Sequence, residues 1–243
     1  MIAYCGRNLF QDSGNMTTNP DVAAVAALIA VPARATILIA LMDGRALPAG
    51  ELARRAALSP QAASAHLNKL VAGGFLLMAS TGRHRYYRLA STEVAQVIEA
   101  LMPLARVTAR QTPHPAEPKP IQVARSCYDH LAGRLGVAFT QALVAGGYLT
   151  ETENDFTVTG HGADWFRQLG IDPVPATRSR RVFARKCLDW SERRFHLGGA
   201  LGAAALTRFL ELGWVARVPQ GRILRVTQTG QAELRRLLKI SVR

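Results

Sequence analysis

Two cysteine–histidine pairs in the second half of the sequence have the residue types of a soft-ion or redox site. Cys127 lies three residues before His130, and Cys187 lies nine residues before His196. Basic residues such as Arg125 precede both thiols, and we expect them to lower the thiol pKa values and favour the thiolate. Two thiols could bind a soft metal or metalloid ion, such as As(III), Pb(II) or Cd(II), or could oxidise to a disulfide. Free cysteines packed in a core are the alternative interpretation.

A second set of side chains has the chemistry of base recognition. Ser59 and Pro60 predict the start of a helix, with serine as the N-cap and proline at the first helical position. Gln and Asn pair with adenine edges, Ser pairs with several acceptors, and an Ala methyl packs on thymine, while Lys contacts phosphate. The predicted DNA-contacting residues of this helix are Ser59, Gln61, Ala62, Ser64, Ala65, Asn68 and Lys69.

A cationic hairpin follows this helix. Residues 75–80 and 85–89 are apolar or aromatic extended runs, and the segment between them contains glycine, which is typical of a β-hairpin. We expect Arg83 and Arg85, at its tip, to contact the DNA backbone or the minor groove. A small helical core with a solvated charged hairpin is the alternative.

The charge balance favours a polyanionic partner. The 243 residues include 30 Lys and Arg against 17 Asp and Glu, which gives a net charge of +13 and a pI near 10.8. Nucleic acid is the commonest partner of such a chain, although a generically basic protein would have the same balance. The arginine-rich cluster from Arg178 to Arg194 is either a second DNA-facing surface or a solvated helix face.

Composition excludes several other classes. Hydrophobic residues make up 49% and the mean hydropathy is +0.05, so the chain is neither disordered nor low in complexity. The longest apolar run, Val22–Val31, is too short to span a bilayer, which needs about 20 residues. Three cysteines are too few for a disulfide framework, and no signal peptide is visible. We therefore expect a cytoplasmic protein without a membrane partner.

Periodicity and proline content predict the domain organisation. Helical patterns occupy residues 21–30, 32–42, 49–57, 60–72 and 91–110. Residues 112–120, which follow the last of these patterns, include four prolines and therefore cannot form a helix or the interior of a sheet. The predicted parts are a disordered tail at 1–18, a DNA-binding and dimerisation domain at 19–111, a Pro-rich linker at 112–120 and a C-terminal sensory domain at 121–243. Met16 is an alternative start, so the place of residues 1–15 in the native chain stays open.

The C-terminal domain contains an internal repeat. Residues 130–136 reappear as residues 196–202 in similar form, and the 66-residue offset holds through Leu149 and Val215. After a turn that we expect to be four residues longer in the second copy, residues 156–160 align with residues 226–230 at an offset of 70. Chance similarity of glycine-punctuated amphipathic helices is the alternative. We expect two winged-helix-like repeats, at about 121–171 and 181–243.

The first domain resembles a known family. Its segment 58–76, with Ser64-x-His66-Leu67-x-x-Leu70, is similar to the recognition helix of the ArsR/SmtB winged-helix transcriptional regulators, and the likeness extends over about residues 19–110. The resemblance implies a homodimer formed through the first and last helices of the domain. It also implies binding to an imperfect palindromic operator in double-stranded DNA and release when an effector is sensed. His66 belongs to the family signature, which implies a structural or DNA-proximal role.

One departure limits what the resemblance implies. The helix at residues 51–57 has no cysteine, and the helix at residues 94–110 lacks the His and Asp cluster of zinc-sensing members. Neither of the familiar metal sites of the family can therefore be carried over, and the effector must be inferred from the second half. The predicted effector residues are Cys127, His130, Cys187, Trp190 and His196.

Together these patterns predict a mainly α fold with small β-hairpins, in the α+β class, and a regulator that represses until its small effector binds. A non-specific architectural nucleic-acid-binding protein is one alternative. A methyltransferase-like enzyme with a winged-helix dimerisation domain is the other, and the lack of GxGxxG, P-loop, HExxH and GxSxG motifs disfavours it. We predict no catalytic residues and no certain cofactor. Aromatic side chains after the linker either line a pocket between the repeats or pack as core.

Overall fold

The chain forms two compact units that divide between Ile98 and Glu99. The computed structural model describes residues 21–82, 84–108, 118–173, 182–219 and 221–241; for residues 103 and 106–108 it describes the backbone alone. The predicted tail at 1–18, residues 112–117 of the predicted linker, and Arg83 lie outside the described residues. At the end of that linker Pro120 begins a short helix at its first position, where proline is tolerated.

The first unit has the element order of a winged helix. Its helices and strands are α1 (Val22–Ile29), α2 (Pro32–Ala40), β1 (Leu47–Pro48), α3 (Ala49–Arg55), α4 (Pro60–Ala72), β2 (Leu76–Thr81), β3 (His84–Leu89) and the start of α5 (Thr92–Thr108). The three strands form one antiparallel sheet in the order β1-β3-β2. Thr81 pairs with His84, so only two residues form the tip of the hairpin.

Local signals explain why α4 forms where it does. The Ser59 hydroxyl accepts a hydrogen bond from the Ala62 N–H at 3.3 Å, and Pro60 occupies the first helical position. The helix ends at Gly73, and Gly74 has a φ of +71°, which favours glycine. The buried side of the helix presents Leu67 and Leu70, which are fully buried. Helix α4 therefore has one apolar face for the core and one face left for a partner.

The second unit consists of two copies of the same element series. The first copy contains β4 (Arg125–Cys127), β5 (His130–Ala132), α7 (Gly133–Ala145), β6 (Leu149–Glu151), β7 (Phe156–Val158) and α8 (Gly160–Gln168), after the short α6 (Pro120–Val123). The second contains β8 (Arg185–Leu188), β9 (Phe195–Gly198), α9 (Gly199–Glu211), β10 (Val215–Arg217), β11 (Leu224–Val226) and α10 (Gln228–Leu238). Each copy begins with a hairpin that the sequence did not predict, because its strands are only three or four residues long and show no alternation of apolar and polar residues.

Capping threonines correct the predicted alignment of the two copies. Thr159 caps α8 by accepting from the Gly162 N–H, and Thr227 caps α10 by accepting from the Gly230 N–H, both at 2.9 Å. Equivalent residues in this half are therefore 68 positions apart, and the predicted offset of 70 was wrong. The connection is two residues longer in the second copy, not four. Threonines recur at alternate positions in both copies, and this recurrence produced the shifted match.

The two copies exchange contacts across a shared core. The Phe156 N–H donates to the Ala184 carbonyl at 2.8 Å, and the Leu224 N–H donates to the Ala124 carbonyl at 3.0 Å, so each copy's second hairpin bonds to the other copy. Helix α7 packs against β9 and helix α9 packs against β5. The copies thus form one hydrophobic core rather than two separate repeats stacked end to end.

Within the described residues, no single helix has both the length and the apolar character needed to cross a membrane. Helices α1 and α2 meet the test only as a pair, and the pair is bent by 81° at its break.

Candidate functional site

Helix α4 presents the predicted base-reading set on its exposed face. Six of the seven residues predicted on this helix and its cap are exposed, and Ala62 is half-buried. The exposed ones are Ser59, Gln61, Ser64, Ala65, Asn68 and Lys69. Ala63, Leu67 and Leu70 lie on the opposite, buried face. This arrangement matches the helical periodicity that the prediction used, and it leaves amide, hydroxyl and methyl groups available for base edges.

The ends of α4 and the following hairpin favour an anionic partner. The first turn of α4 has no acidic residue, so the positive end of the helix dipole is not neutralised there, and Lys69 lies in the last turn. Arg85 is exposed on β3, next to the hairpin tip. The other predicted wing contact, Arg83, lies outside the described residues. We retain both arginines as predicted phosphate or minor-groove contacts.

The two cysteine–histidine pairs occupy equivalent places in the two copies. Cys127 pairs directly with His130 across β4 and β5, and Cys187 pairs directly with His196 across β8 and β9. The connecting loop of the second hairpin is longer, which explains why the two spacings differ in the sequence. His130 and His196 align in the sequence repeat, whereas the cysteines align there only approximately; strand pairing makes the cysteines equivalent too.

Tertiary packing brings these four residues into one buried cluster, which we call the Cys–His cluster (Cys127, His130, Cys187 and His196). The two Sγ atoms are 3.7 Å apart, and the two imidazole ring centroids are 5.1 Å apart. One ligand atom from each of the four residues lies within 4.8 Å of the others. Cys127, His130 and His196 are buried, and Cys187 is half-buried. Four of the five predicted effector residues are therefore neighbours in space.

Glycines allow the two histidine-bearing hairpins to approach each other. A Cβ atom on Gly198 would lie 3.1 Å from His130 Nε2, and one on Gly202 would lie 3.1 Å from His130 Cβ. Gly136 faces His196 in the same way, at 3.7 Å from its Cβ. Larger side chains at these positions would push the histidines away from the opposite copy.

A carboxylate lies beside the Nδ1 atom of each histidine. The Asp129 Oδ1 atom is 3.3 Å from His130 Nδ1, and the Asp189 Oδ2 atom is 3.6 Å from His196 Nδ1. The Nε2 atoms of both histidines are buried without a hydrogen-bond partner. His196 Nδ1 also lacks a hydrogen-bond partner. Buried imidazole nitrogens are normally paired, so these three unpaired nitrogens beside two thiols need an explanation.

Asp189 organises the polar surroundings of the cluster. Its carboxylate accepts from the Arg125 guanidinium at 2.9 Å, from the Gly133 N–H at 2.7 Å and from the Ser191 hydroxyl at 2.7 Å. Burial alone would raise the pKa of Asp189, but the Arg125 charge and these hydrogen bonds hold it well below its usual range. Asp189 and Arg125 come from different copies, so their ion pair connects the two copies.

Trp190 belongs to this polar support and not to the Cys–His cluster. The Arg125 guanidinium carbon lies 4.5 Å from the centre of the Trp190 ring, which is a cation–π arrangement. The contact of Trp190 with an effector stays a prediction.

The predicted lowering of the thiol pKa values is wrong for Cys127, whereas the pKa of Cys187 is lowered as predicted, with other neighbours as the main causes. The pKa of Cys127 is raised, because it shares a hydrogen bond with Cys187 and is buried. The pKa of Cys187 is lowered, because that hydrogen bond and the neighbouring histidines stabilise its thiolate. Burial lowers the pKa of His130, but Asp129 and Cys187 outweigh it and raise that pKa to about 9. The Arg125 guanidinium itself is bound by the Asp189 carboxylate at 2.9 Å.

Part of the predicted arginine cluster lies outside the described residues, and part of the rest contacts other residues of the protein. Arg178, Arg180 and Arg181 fall outside them, and the described part runs through strand β8, so a solvated helix face is a wrong interpretation there. Lys186 donates to the Thr152 carbonyl and lies 3.3 Å from a Glu151 oxygen. Only Arg193 and Arg194 are exposed in the described part of this cluster.

Most of the aromatic side chains of this unit pack as core. The Phe139 ring meets the Phe209 ring edge-on at 5.1 Å, and Phe166 is fully buried. Trp165 and Trp214 are also buried, and both line a cleft of about 350 Å³ between the copies. Core packing is therefore the main role of these rings.

Comparison with known proteins gives one match over nearly the whole chain and others within a smaller part of it. Residues 29–79 match a family described as a helix-turn-helix domain. The HTH-type transcriptional regulator YdfF of Bacillus subtilis is 45% identical over 225 residues, which cover 92% of this chain and 100% of the relative. Among solved structures, HlyU from Vibrio cholerae is 32% identical and NolR from Sinorhizobium fredii is 28% identical, each over 37% of this chain. These matches cover 92% and 86% of the solved chains, with a TM-score of 0.32 for each, too low to support a structural argument.

Proposed function

Because the chain belongs to the helix-turn-helix transcriptional regulators, we propose that it is a homodimeric repressor that binds an imperfect palindromic operator. An effector that binds in the C-terminal half releases the repressor from DNA. The regulator relative spans nearly the whole chain, which favours this function over the methyltransferase-like alternative.

The observation that carries the proposal is the two-sided character of α4. Its buried face packs on the first unit, whereas Gln61, Ser64 and Asn68 are exposed together on the other face. A recognition helix must present such side chains to the major groove without using them for folding. The large positive charge supplies the sequence-independent attraction to phosphates.

Exposed apolar side chains on α1 and α5 support the homodimer. Val22 and Val25 lie one turn apart on α1 and are 71% and 40% exposed. Val97, Leu101 and Leu104 follow one face of α5 at helical spacing and are also exposed. Apolar stripes on the first and last helices of the domain are what a dimer formed through these helices needs, and the family resemblance implies that arrangement. A second copy of the chain would cover them.

The Cys–His cluster supports effector sensing by the second unit. Two of its residues come from each copy, so a ligand bound by all four would change how the copies are held together. The thiols leave two classes of effector open, namely a soft ion and a thiol oxidant.

Fluorescence anisotropy on the chain's own upstream intergenic DNA tests the DNA-binding part. We expect binding at least about 10³-fold tighter than to a scrambled duplex at the same salt concentration. Removing two phosphate-contacting charges with Lys69→Gln and Arg85→Gln should lower the salt slope of log K by about two units, because each lost contact releases about one counterion fewer.

The matched double variant Arg193→Gln and Arg194→Gln removes the same charge from the exposed pair of the second unit. An unchanged salt slope would restrict the phosphate contacts to the first unit, and a loss of about two units would favour the second DNA-facing surface. Equal affinity for the native and the scrambled duplex would contradict a specific repressor and favour the architectural alternative.

A further inference from the structure

We propose that the Cys–His cluster is a tetrahedral binding site for one divalent ion of the zinc and cadmium type, with Cys127 and Cys187 as thiolate ligands and His130 and His196 as Nε2 ligands. The proposal concerns which ion chemistry fits the cluster, and its regulatory consequence rests on the function proposed above. Ion binding itself does not depend on that function.

The distances in the cluster fit this ion class. A tetrahedral site with zinc–sulfur bonds of about 2.3 Å places its two sulfur atoms about 3.8 Å apart. The Cys127 and Cys187 Sγ atoms are 3.7 Å apart. The four ligand atoms all lie within 4.8 Å of one another, which is about 1 Å beyond the edges of such a tetrahedron. Small side-chain rotations would therefore complete the coordination.

The chemistry of the donor set also favours a closed tetrahedral site. Two thiolates and two imidazoles are typical ligands of zinc sites, and the two thiolates balance the charge of a divalent ion. Four protein ligands leave no open position for a catalytic water, and three of the four residues are buried. A site that captured As(III) would be expected to use thiolates alone, since imidazole is the ligand of harder ions.

The carboxylates beside the histidines indicate which imidazole nitrogens would bind. Asp129 and Asp189 lie beside the Nδ1 atoms, and a carboxylate in that place orients the ring and makes Nε2 the metal-binding atom. Both Nε2 atoms are buried without a hydrogen-bond partner; His196 Nδ1 also lacks one, since Asp189 lies 3.6 Å from it. An ion would give both Nε2 atoms a partner at once.

The geometry favours an ion over a disulfide. A disulfide requires the two sulfur atoms to approach to about 2.05 Å, which is about 1.7 Å closer than they are. A disulfide would also leave both histidine Nε2 atoms unpaired. An ion would join the two hairpins through four bonds, two from each copy, and would therefore hold the two copies in one arrangement.

Metal titration of the reduced, full-length protein under anaerobic conditions tests the site without DNA. Competition with a chromophoric chelator should give one Zn²⁺ per chain, and Cd²⁺ should give the ultraviolet charge-transfer band of a cadmium–thiolate bond. Cys127→Ser and His196→Asn should each weaken Zn²⁺ binding at least about 100-fold, and Asp129→Asn should weaken it about 10–100-fold.

Matched controls are Cys5→Ser and His161→Gln. His161 stacks on Tyr148 away from the cluster, so this variant removes a histidine but none of the four ligands. Both controls should bind one ion as tightly as the unchanged protein does. Circular dichroism checks that every variant is folded.

Three results would overturn the proposal: no stoichiometric binding of Zn²⁺ or Cd²⁺ by the unchanged protein, binding that survives in folded Cys127→Ser and His196→Asn variants, or formation of a Cys127–Cys187 disulfide by a protein that binds neither ion. The anisotropy assay on operator DNA tests the proposed repressor function separately, so failure of the ion site can be distinguished from failure of that function. Ion binding without any effect on DNA affinity would retain the site and contradict its proposed role as effector sensor.

Discussion

Helix α4 and the Cys–His cluster are assembled in opposite ways. The residues of α4 are continuous in the sequence and exposed, and the helix is held by its own cap and by one apolar face. The four residues of the cluster come from two hairpins about 60 residues apart and are mostly buried. A continuous, exposed site can lose a contact without losing stability, whereas a buried site between two copies shares its residues with the packing that holds the copies together.

The largest effect on stability is expected at the buried ion pair beside the Cys–His cluster. Asp189→Asn would leave the Arg125 guanidinium fully buried without a counter-charge, so we expect a loss of about 3–5 kcal/mol in the free energy of unfolding. Urea denaturation monitored by circular dichroism measures this loss. Asp164→Asn is the control, because its ion pair with Arg167 is exposed and should contribute less than about 1 kcal/mol. Similar losses in the two variants would mean that the buried pair has no special role.

Glycine substitutions test whether the two copies are equivalent with the offset of 68. A Cβ on Gly162 would collide with the Tyr148 carbonyl, and a Cβ on Gly230 would collide with the Trp214 carbonyl. We expect each Gly→Ala change to cost about 1–3 kcal/mol, because a backbone oxygen cannot rotate away.

The control for this pair is Gly160→Ala, two residues before Gly162 in the same helix. A Cβ there meets nothing within 4 Å, so the change should be neutral or stabilise by up to about 1 kcal/mol. Thermal unfolding of the three variants gives the comparison. A loss at Gly162 without a loss at Gly230 would contradict the structural equivalence of the copies.

The smallest effects on folding are expected on the exposed face of α4. Asn68→Ala should leave the free energy of unfolding within about 0.5 kcal/mol and weaken operator binding by about 1–3 kcal/mol, because an exposed side chain is lost from the base-reading set. Ser59→Ala should instead cost about 1 kcal/mol of stability, since it removes the N-cap. Denaturation and anisotropy on the same preparations separate the two roles. An unstable Asn68→Ala variant would show that this face takes part in folding.

Several predictions made from the sequence are confirmed. The α+β winged helix-turn-helix fold agrees with the observed elements, and the chain is a helix-turn-helix transcriptional regulator. The start of α4 could be predicted because serine and proline at a helix start act through contacts within one turn. Its exposed face could be predicted because the 3.6-residue period assigns each position to one side. The assignment of individual side chains to DNA contacts stays a prediction.

By itself, the sequence determined helix α4, the hairpin after it, the presence of a repeat and five candidate effector residues that include the four of the Cys–His cluster. Each of these depends on short-range signals, such as periodicity, caps and recurring residues. Only the tertiary structure decided that Cys127 pairs with His130 and Cys187 with His196, that the two hairpins meet, and that Asp189 neutralises Arg125 from the other copy. The physical reason is that strands of three or four residues carry no detectable sequence pattern. Contacts between the copies also depend on backbone hydrogen bonds between residues far apart in the sequence, and on glycines that allow close approach.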